Sequence, residues 1–377
     1  MQLEYGQQWQ DFDEQIRAFI DRHWRGSPTP NLRRWHEALL AAGWSVPHWP
    51  VEAGGTGWDA TQLFLWRRAC AKADIPTSQD VGADIIGPML WRYASAEQQS
   101  RWLPGIRTMS ESWAIAVAEA ESDRDPERMT THAQWKGDHW VLRGIKTGVS
   151  HWRRANWLCC FARLNDEPAF GLFAVSVASA GVSIEPLATK DHSQEMARVT
   201  FSDVSLSSAA LITRSSQATS LVKIFSSVEH SILSQSAIAQ AQLDILDVQL
   251  ARLDPTDAIH LQRQSIAVEL EGLCALELRY IDALQRETTP PVPLDLLRLR
   301  SREILLKLGA LQMESFGYYA LPYPDEMLLH NEGPVGPPDA AKTVRQHLTR
   351  QVIEQYEGSA EELRDAVWRE VSKRYKS

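Results

Sequence analysis

Near the end of the chain, Tyr356-Glu357-Gly358-Ser359 sets a carboxylate beside a glycine, just before Ala360, Glu361 and Glu362 begin what reads as a last helix. A glutamate held on a glycine hinge has the chemistry of a general base that takes a proton from carbon. Capping is the competing reading. Ser359 as N-cap with Glu362 three residues on fits the S-x-x-E box, in which each side chain satisfies the other's backbone N–H. Capping accounts for Ser359 and Glu362 and leaves Glu357 and Gly358 without a role. The cysteines, Cys70, Cys159, Cys160 and Cys274, form no C-x-x-C and no metal-ligand spacing, so they read as reduced packing thiols and no metal site is expected.

Elements of three kinds must position such a base. Residues 8 to 110 read as helical: Trp9, Phe12, Ile16, Phe19 and Ile20 recur at helix spacing, and Leu32 to Ala42 is a second helix that Gly43 stops. A turn-rich connection through Trp49-Pro50 and Gly54-Gly55-Thr56-Gly57 follows, then helices at 59 to 73, 83 to 93 and 96 to 102, the last closed by Leu103-Pro104-Gly105. From Ser112 short strand-like runs take over, at 113 to 117, 139 to 142, 157 to 161, 171 to 177, 182 to 186 and 199 to 201. Beyond Arg214 a helical face returns, with Leu221, Ile224, Val228, Ile232, Ala239, Leu243, Leu246 and Leu250 in one run and Ile266, Leu270, Leu273, Glu277, Tyr280 and Leu284 in the next, where Glu277 is the polar interruption. The linker Pro290-Pro291-Val292-Pro293 leads to Leu294 to Ala320. The expected architecture is α+β: an N-terminal helical domain over 1–111, a small β-barrel domain over 112–213 and a C-terminal four-helix bundle over 214–377.

Composition limits the function classes. The chain has 377 residues, 44% hydrophobic and 23% charged, which are globular values. A net charge of -9 argues against a nucleic-acid partner. No apolar run approaches the roughly 18 residues of a spanning helix, and Met1-Gln2-Leu3-Glu4-Tyr5 is no signal peptide, so the expectation is a cytoplasmic protein without membrane insertion. The 15 Trp suit large packing surfaces or a bulky ligand.

The order of these parts resembles the acyl-CoA dehydrogenases, flavoproteins built as helical domain, β domain and helical bundle. Gly43-Trp44, Pro47, Trp49-Pro50, Glu52 and Gly54-Gly55-x-Gly57 are similar to that family's GW-x-x-P-x-WP-x-E-x-GG-x-G, and Gly87-Pro88, Glu97-Gln98 and Leu103-Pro104 to its run from GP to EQ to LP. Gly137-Asp138-x-Trp140-Val141-Leu142-x-Gly144-x-Lys146 is similar to its strand pair, and Phe201-Ser202-Asp203-Val204 to its F-x-D-V exit. Tyr356-Glu357-Gly358-Ser359-x-Glu361 resembles the YEGTSEI segment in which some members place their base.

The resemblance implies α,β-dehydrogenation of an acyl-CoA thioester, with Glu357 taking the α-proton and FAD accepting hydride from Cβ. A thioester α-proton is weakly acidic, so the chemistry needs a dry carboxylate and donors for the developing oxyanion. It further implies cofactor contacts at Val117, Ala118, Glu119, Gly148, Val149 and Ser150, and substrate contacts at Ser122, Arg124, Tyr356 and Gly358. Other members carry the base on a bundle helix; the corresponding position here is Ser231, and Glu229, about 200° away around the helix, reads as solvated.

Three departures accompany the match. Where members read TEP-x-AGSD near the flavin, this chain reads Ala118-Glu119-Ala120-Glu121-Ser122-Asp123-Arg124-Asp125, keeping Glu119 and Asp125 in register. Gly148 stands where an aromatic stacks near the flavin, with Trp152 four residues on. Gln249 and His260 replace the Arg and Gln with which a neighbouring subunit grips the dinucleotide, and Ser315-Phe316-Gly317-Tyr318 replaces a GG-x-G turn. Tyr319-Ala320-Leu321-Pro322 and Gly333-Pro334-Val335-Gly336-Pro337 look like a subgroup acting on bulky CoA thioesters, including steroid side chains, some assembled from two different subunits. The expected partners are therefore an acyl-CoA, a second acyl-CoA dehydrogenase-like subunit in a homo- or hetero-oligomer, and an electron-accepting flavoprotein. The alternatives are a non-catalytic structural subunit with a decayed flavin site, and an oxygen-using flavin enzyme on the same fold.

Overall fold

The computed structural model describes residues 7–25, 31–75, 81–121, 125, 128–165, 167–189, 195–217, 221, 234–321, 336–337, 339–356 and 360–376. Helices α1 (Gln7–Ile20), α2 (Leu32–Ala42), α3 (Ala60–Lys72), α4 (Gly87–Tyr93) and α5 (Ala96–Arg107) precede strands β1 (Trp113–Ala116), β2 (His132–Trp135), β3 (His139–Ser150), β4 (Trp157–Leu164), β5 (Ala169–Ser176), β6 (Val182–Pro186), β7 (Met196–Ser207) and β8 (Leu211–Ser215). Helices α6 (Gln235–Leu250), α7 (Asp257–Gln285), α8 (Leu294–Phe316), α9 (Ala340–Tyr356) and α10 (Ala360–Lys376) follow. The expected order of helical, β and helical stretches holds. The chain groups into two compact units that are not consecutive in sequence: 1–31 with 58–77 and 230–377, and 32–57 with 78–229.

The second unit holds one mixed sheet in the order β6-β7-β3-β2-β4-β5-β8, with β1 parallel to β4. β2 was not expected. His132-Ala133-Gln134-Trp135 is short and half polar, and it is a strand because β3 pairs with it on one side and β4 on the other. β3 runs eight residues past its expected end at Leu142. The glycines that read as stops are irregularities inside the strand: register shifts fall between Leu142 and Gly144 and between Lys146 and Val149, and Gly144 and Gly148 take positive φ, the conformation a bulge demands.

Helix α5 likewise outruns its expected end at Trp102 and continues through Pro104 to Arg107. Proline inside a helix forfeits a backbone bond at a cost of roughly 3 kcal/mol. Trp102, Leu103 and Ile106 are all buried in the core on that turn, and their packing outweighs the loss. At its start Ser95 and Gln98 form a reciprocal capping box, and the Gln98 amide then donates to the carbonyls of Ala209 (2.8 Å) and Leu211 (2.9 Å), fastening α5 to the sheet's last strand. Trp102, Trp113 and Trp157 meet with ring centroids 5.6 to 5.8 Å apart, so several of the many tryptophans serve the core.

The glycine-rich connection folds around one indole. Trp49 is 1% exposed and donates from Nε1 to the Ala83 carbonyl at 2.8 Å. Any Cβ on Gly55 would lie 2.2 Å from the Trp49 carbonyl oxygen, and one on Gly87 would lie 1.8 Å from the Trp49 ring. The GW…WP…GG and GP motifs are thus two halves of one tryptophan socket.

In the first unit α6 to α10 pack as a helical bundle, joined by α1 and α3. Asp59 and Gln62 box the start of α3. The expected continuous helix from Leu221 is described only at Leu221 and from Gln235 onward. Ser234 immediately before α6 is left-handed, with φ 96°. Among the described residues no helix is long and apolar enough to cross a membrane.

Because the Gly87 clearance is set by a fully enclosed ring, Gly87→Ala should cost about 1–3 kcal/mol of stability, read as a lower urea midpoint with an unchanged slope. A midpoint equal to wild type would show that the socket is not packed as described.

Candidate functional site

The segment expected to face a flavin begins where β1 ends. Val117 is buried, and its carbonyl accepts from Lys146 Nζ at 2.9 Å. The Ala118 carbonyl accepts from the Thr147 amide at 2.9 Å. Glu119 is buried too, and its Oε1 receives Lys146 Nζ at 2.9 Å. The same carboxylate accepts from the Thr130 amide (2.7 Å), the Thr130 hydroxyl (2.8 Å) and the Thr131 amide (3.0 Å). Lys146 is 0% exposed, lying over the Phe161 ring at 5.7 Å and against Met129 Sδ at 3.7 Å.

Burial on its own would raise the Glu119 pKa. The Lys146 ammonium, its hydrogen bond and those from Thr130 and Thr131 outweigh that and hold the carboxyl down to about 2. Glu119 is thus an ionised anchor with every oxygen engaged, and the arrangement suits it to hold backbone, not to take protons.

Next to this anchor Gly148 has φ 65°, and a Cβ there would meet nothing within 4 Å. Sequence reasoning put a missing aromatic at this position, and the structure leaves open space over it. Val149 is wholly buried, its side chain in the core with Leu142 and Val199. Ser150 is half-buried and pairs with Met196 across β3 and β7. Trp152 packs on the margin of that same core. The structure therefore gathers Val117, Ala118, Glu119 and Gly148 about Lys146 and Thr147. The open space at the left-handed Gly148 leaves room for a flat group beside the backbone that Lys146 and Thr147 hold.

Several expected residues lie outside the described ones: Ser122, Arg124, Glu357, Gly358, Ser359, Glu229 and Ser231. Tyr356 ends α9, and its side chain is outside them as well. Among the described residues no group of His, Cys, Asp or Glu could hold a metal ion. Gln249 donates to the Gln312 carbonyl at 3.2 Å and to the Ser315 hydroxyl, tying α6 to α8.

Two buried charged groups were visible in the sequence without their roles. Lys146 shares the parity of Trp140 and Leu142 along β3, so the alternation already pointed it inward. Glu277 sits in the apolar phase of α7, and it is 0% exposed. Its carboxylate accepts from the Ser236 amide at 3.2 Å and from the Ser236 hydroxyl, at the first turn of α6. Burial pushes its pKa up to about 7, against the pull of the bonds from Ser234, Gln235 and Ser236.

Comparison with known proteins gives these parts a setting. Residues 7–110 match the family "Acyl-CoA dehydrogenase, N-terminal domain". Among curated proteins, acyl-CoA dehydrogenase IpdE1 of Mycobacterium tuberculosis is 30% identical over 176 residues, 45% of this chain and 46% of that protein. FadE29 of the same organism is 26% identical over 196 residues, 51% of this chain and 49% of that protein. The chain spans about half the length of the curated relatives it matches. Among solved structures, the ChsE4-ChsE5 complex of M. tuberculosis aligns at TM-score 0.77 with 19% identity, over 97% of this chain and 97% of that one. A glutaryl-CoA dehydrogenase from Mycobacterium smegmatis in complex with FADH2 aligns at 0.75 with 16% identity, over 98% and 95%. At these identities the structural likeness shows the fold.

The two acids carry opposite pH signatures. Glu119 titrates lower in the fold than its ordinary 4.5, so its stabilisation is present above that value and is lost as pH falls towards 2. The loss is on the order of 2–3 kcal/mol, and Glu119→Gln should flatten it in urea unfolding. Glu277 titrates higher than its ordinary 4.5, so its contribution is full below that value and is lost as pH rises through 7, by roughly 2–3 kcal/mol. Glu277→Gln should remove that decline between pH 5 and 8; an unchanged slope would contradict the burial of the acid.

Proposed function

We propose, from an N-terminal stretch that matches the acyl-CoA dehydrogenase N-terminal domain and a fold shared with such enzymes, that the chain serves the α,β-dehydrogenation of a bulky, steroid-type acyl-CoA thioester. The observation that carries the reading is the Lys146–Glu119 anchor beneath Val117–Glu119 and Gly148. It holds the stretch that the family resemblance aims at FAD, although the stretch's sequence departs from the family pattern.

In this reading Val117, Ala118 and Glu119, with Gly148, Val149 and Ser150, hold the FAD. When bound, the flavin supplies acceptance of the hydride from Cβ. Glu357 takes the α-proton onto its carboxylate, and the backbone N–H of the same residue donates to the thioester oxygen as charge develops there. Ser122, Arg124, Tyr356 and Gly358 contact the acyl-CoA, with the Arg124 guanidinium suited to a phosphate. The protein works in the cytoplasm, with an electron-accepting flavoprotein downstream.

We further propose that the chain acts with a second acyl-CoA dehydrogenase-like subunit. A solved complex and a pair described as a steroid ACAD share its fold, and its own segments from Ala118 to Asp125 and at Gly148 lack the hydroxyl and aromatic of the family pattern. A non-catalytic subunit is the second reading, favoured by those same losses.

The visible absorption spectrum separates them. Flavin bands in the chain alone indicate a self-sufficient enzyme, bands only after co-purification with a partner subunit indicate the heteromer, and a colourless preparation in both cases sinks the enzyme. With flavin present, Glu357→Gln should leave FAD and ligand binding intact while lowering the rate of flavin reduction by an acyl-CoA about 10³-fold or more, the scale of a lost general base. Normal reduction would remove Glu357 from the chemistry.

A further inference from the structure

We infer that Lys146 is a positioning residue for the cofactor: from β3 it fixes the path of Val117–Glu119, and through that path the fit of the flavin. The inference rests on the functional reading above and adds to it a residue that contacts no ligand.

Beyond Ala116 the chain leaves β1, and its next three residues are each tied to β3 by a separate bond. Lys146 Nζ holds the Val117 carbonyl at 2.9 Å, the Thr147 amide holds the Ala118 carbonyl at 2.9 Å, and Lys146 Nζ holds Glu119 Oε1 at 2.9 Å. One ammonium therefore grips both ends of a tripeptide whose middle is gripped by the next residue of the same strand. The grip does not depend on solvent, since Lys146 is 0% and Glu119 6% exposed.

Stability alone is a poor explanation for the lysine. A buried ion pair is often matched or bettered by well-packed apolar residues of similar volume, because desolvation offsets the attraction. An apolar side chain fills the slot between Met129 and Phe161 but donates to nothing. A side chain with several donors, here the ammonium, joins a backbone carbonyl to a carboxylate two residues away. The direct roles open to a lysine, binding a ligand phosphate or moving a proton to substrate, are closed by its enclosure.

The same geometry explains how the segment tolerates so altered a sequence. The flavin-facing residues are held by main-chain carbonyls and by Glu119, so the identities of Ala118 and Ala120 are free to vary while the path is kept. The open space at Gly148 lies two residues along β3 from the lysine.

The test uses the full-length protein, with its partner subunit if flavin requires one, and compares wild type, Glu119→Gln and the double variant Lys146→Met with Glu119→Gln. The double variant leaves no orphaned charge, so cooperative unfolding is expected to survive. Its FAD affinity is expected to fall about tenfold or more, a change of about 1.4 kcal/mol, with an altered visible circular dichroism band of the bound flavin. In the flavin-free protein, hydrogen exchange in peptides spanning 113–121 should accelerate. Glu119→Gln removes the carboxylate and leaves the ammonium in place, so its FAD affinity is expected to lie between those of wild type and the double variant.

Wild-type FAD affinity and dichroism in the double variant overturn the inference and leave the function standing. Equal losses in the single and double variants also overturn it, because the role then belongs to the Glu119 carboxylate. If the double variant does not fold, the same reading is taken from Lys146→Gln with Glu119→Gln, which replaces the ammonium by a shorter, neutral amide; unchanged FAD affinity and dichroism there overturn the inference. A wild-type protein that takes up no FAD, alone or with its partner, brings down the functional reading and this inference together.

Discussion

A lysine with no exposed surface, closed in by a carboxylate, a carbonyl, a thioether and an aromatic ring, joins β3 to the segment that leaves β1. Removing either partner leaves a buried charge, at a cost of roughly 3–5 kcal/mol. Two irregularities of β3 flank it. Close by, β3 shifts register around Gly144, where a Cβ would lie 2.4 Å from the Thr131 hydroxyl oxygen. The strand shifts again at Gly148 before resuming its pairing with β7.

The bundle uses the same currency in reverse. Glu277 carries an acid into the apolar phase of α7, and among the described residues it forms no ion pair; its partners are the amides at the start of α6 and one hydroxyl. Helix N-termini favour negative charge, yet burial here is strong enough to tilt the acid towards its neutral form near pH 7. Glu119, with an ammonium beside it, is held in the charged form. The contrast lies in the partner, because both carboxylates are buried and both accept backbone N–H bonds.

Most of the scaffold was legible in the sequence. Helix periodicity located α1, α2, α7 and α8, and the glycine and tryptophan motifs marked the Trp49 socket before its geometry was visible. What escaped reading had physical causes. Pro104 and Gly144 punctuate a sequence locally, and tertiary packing overrode both. β2 is stabilised by neighbours from β3 and β4, which four polar-leaning residues do not announce. Lys146 falls within a legible strand pattern, but its partnership with Glu119 spans twenty-seven positions that only the sheet closes. Of the candidate site, Val117, Ala118, Glu119 and Gly148 came together, while the base Glu357 and the substrate contacts Ser122, Arg124 and Gly358 lie outside the described residues.

One strand also gives the molecule an internal clock. Because successive residues of a strand face opposite ways, β4 sends Cys159 into the core with Trp49 and Phe161 and Cys160 into the core with Trp140 and Phe173. Neighbours so opposed cannot bridge each other, and burial raises both thiols well above the usual cysteine range. Neither reacts until its own side of the sheet opens. The order in which the two adjacent sulfurs become alkylated therefore records which core comes apart first, a distinction that a single spectroscopic probe of unfolding averages away.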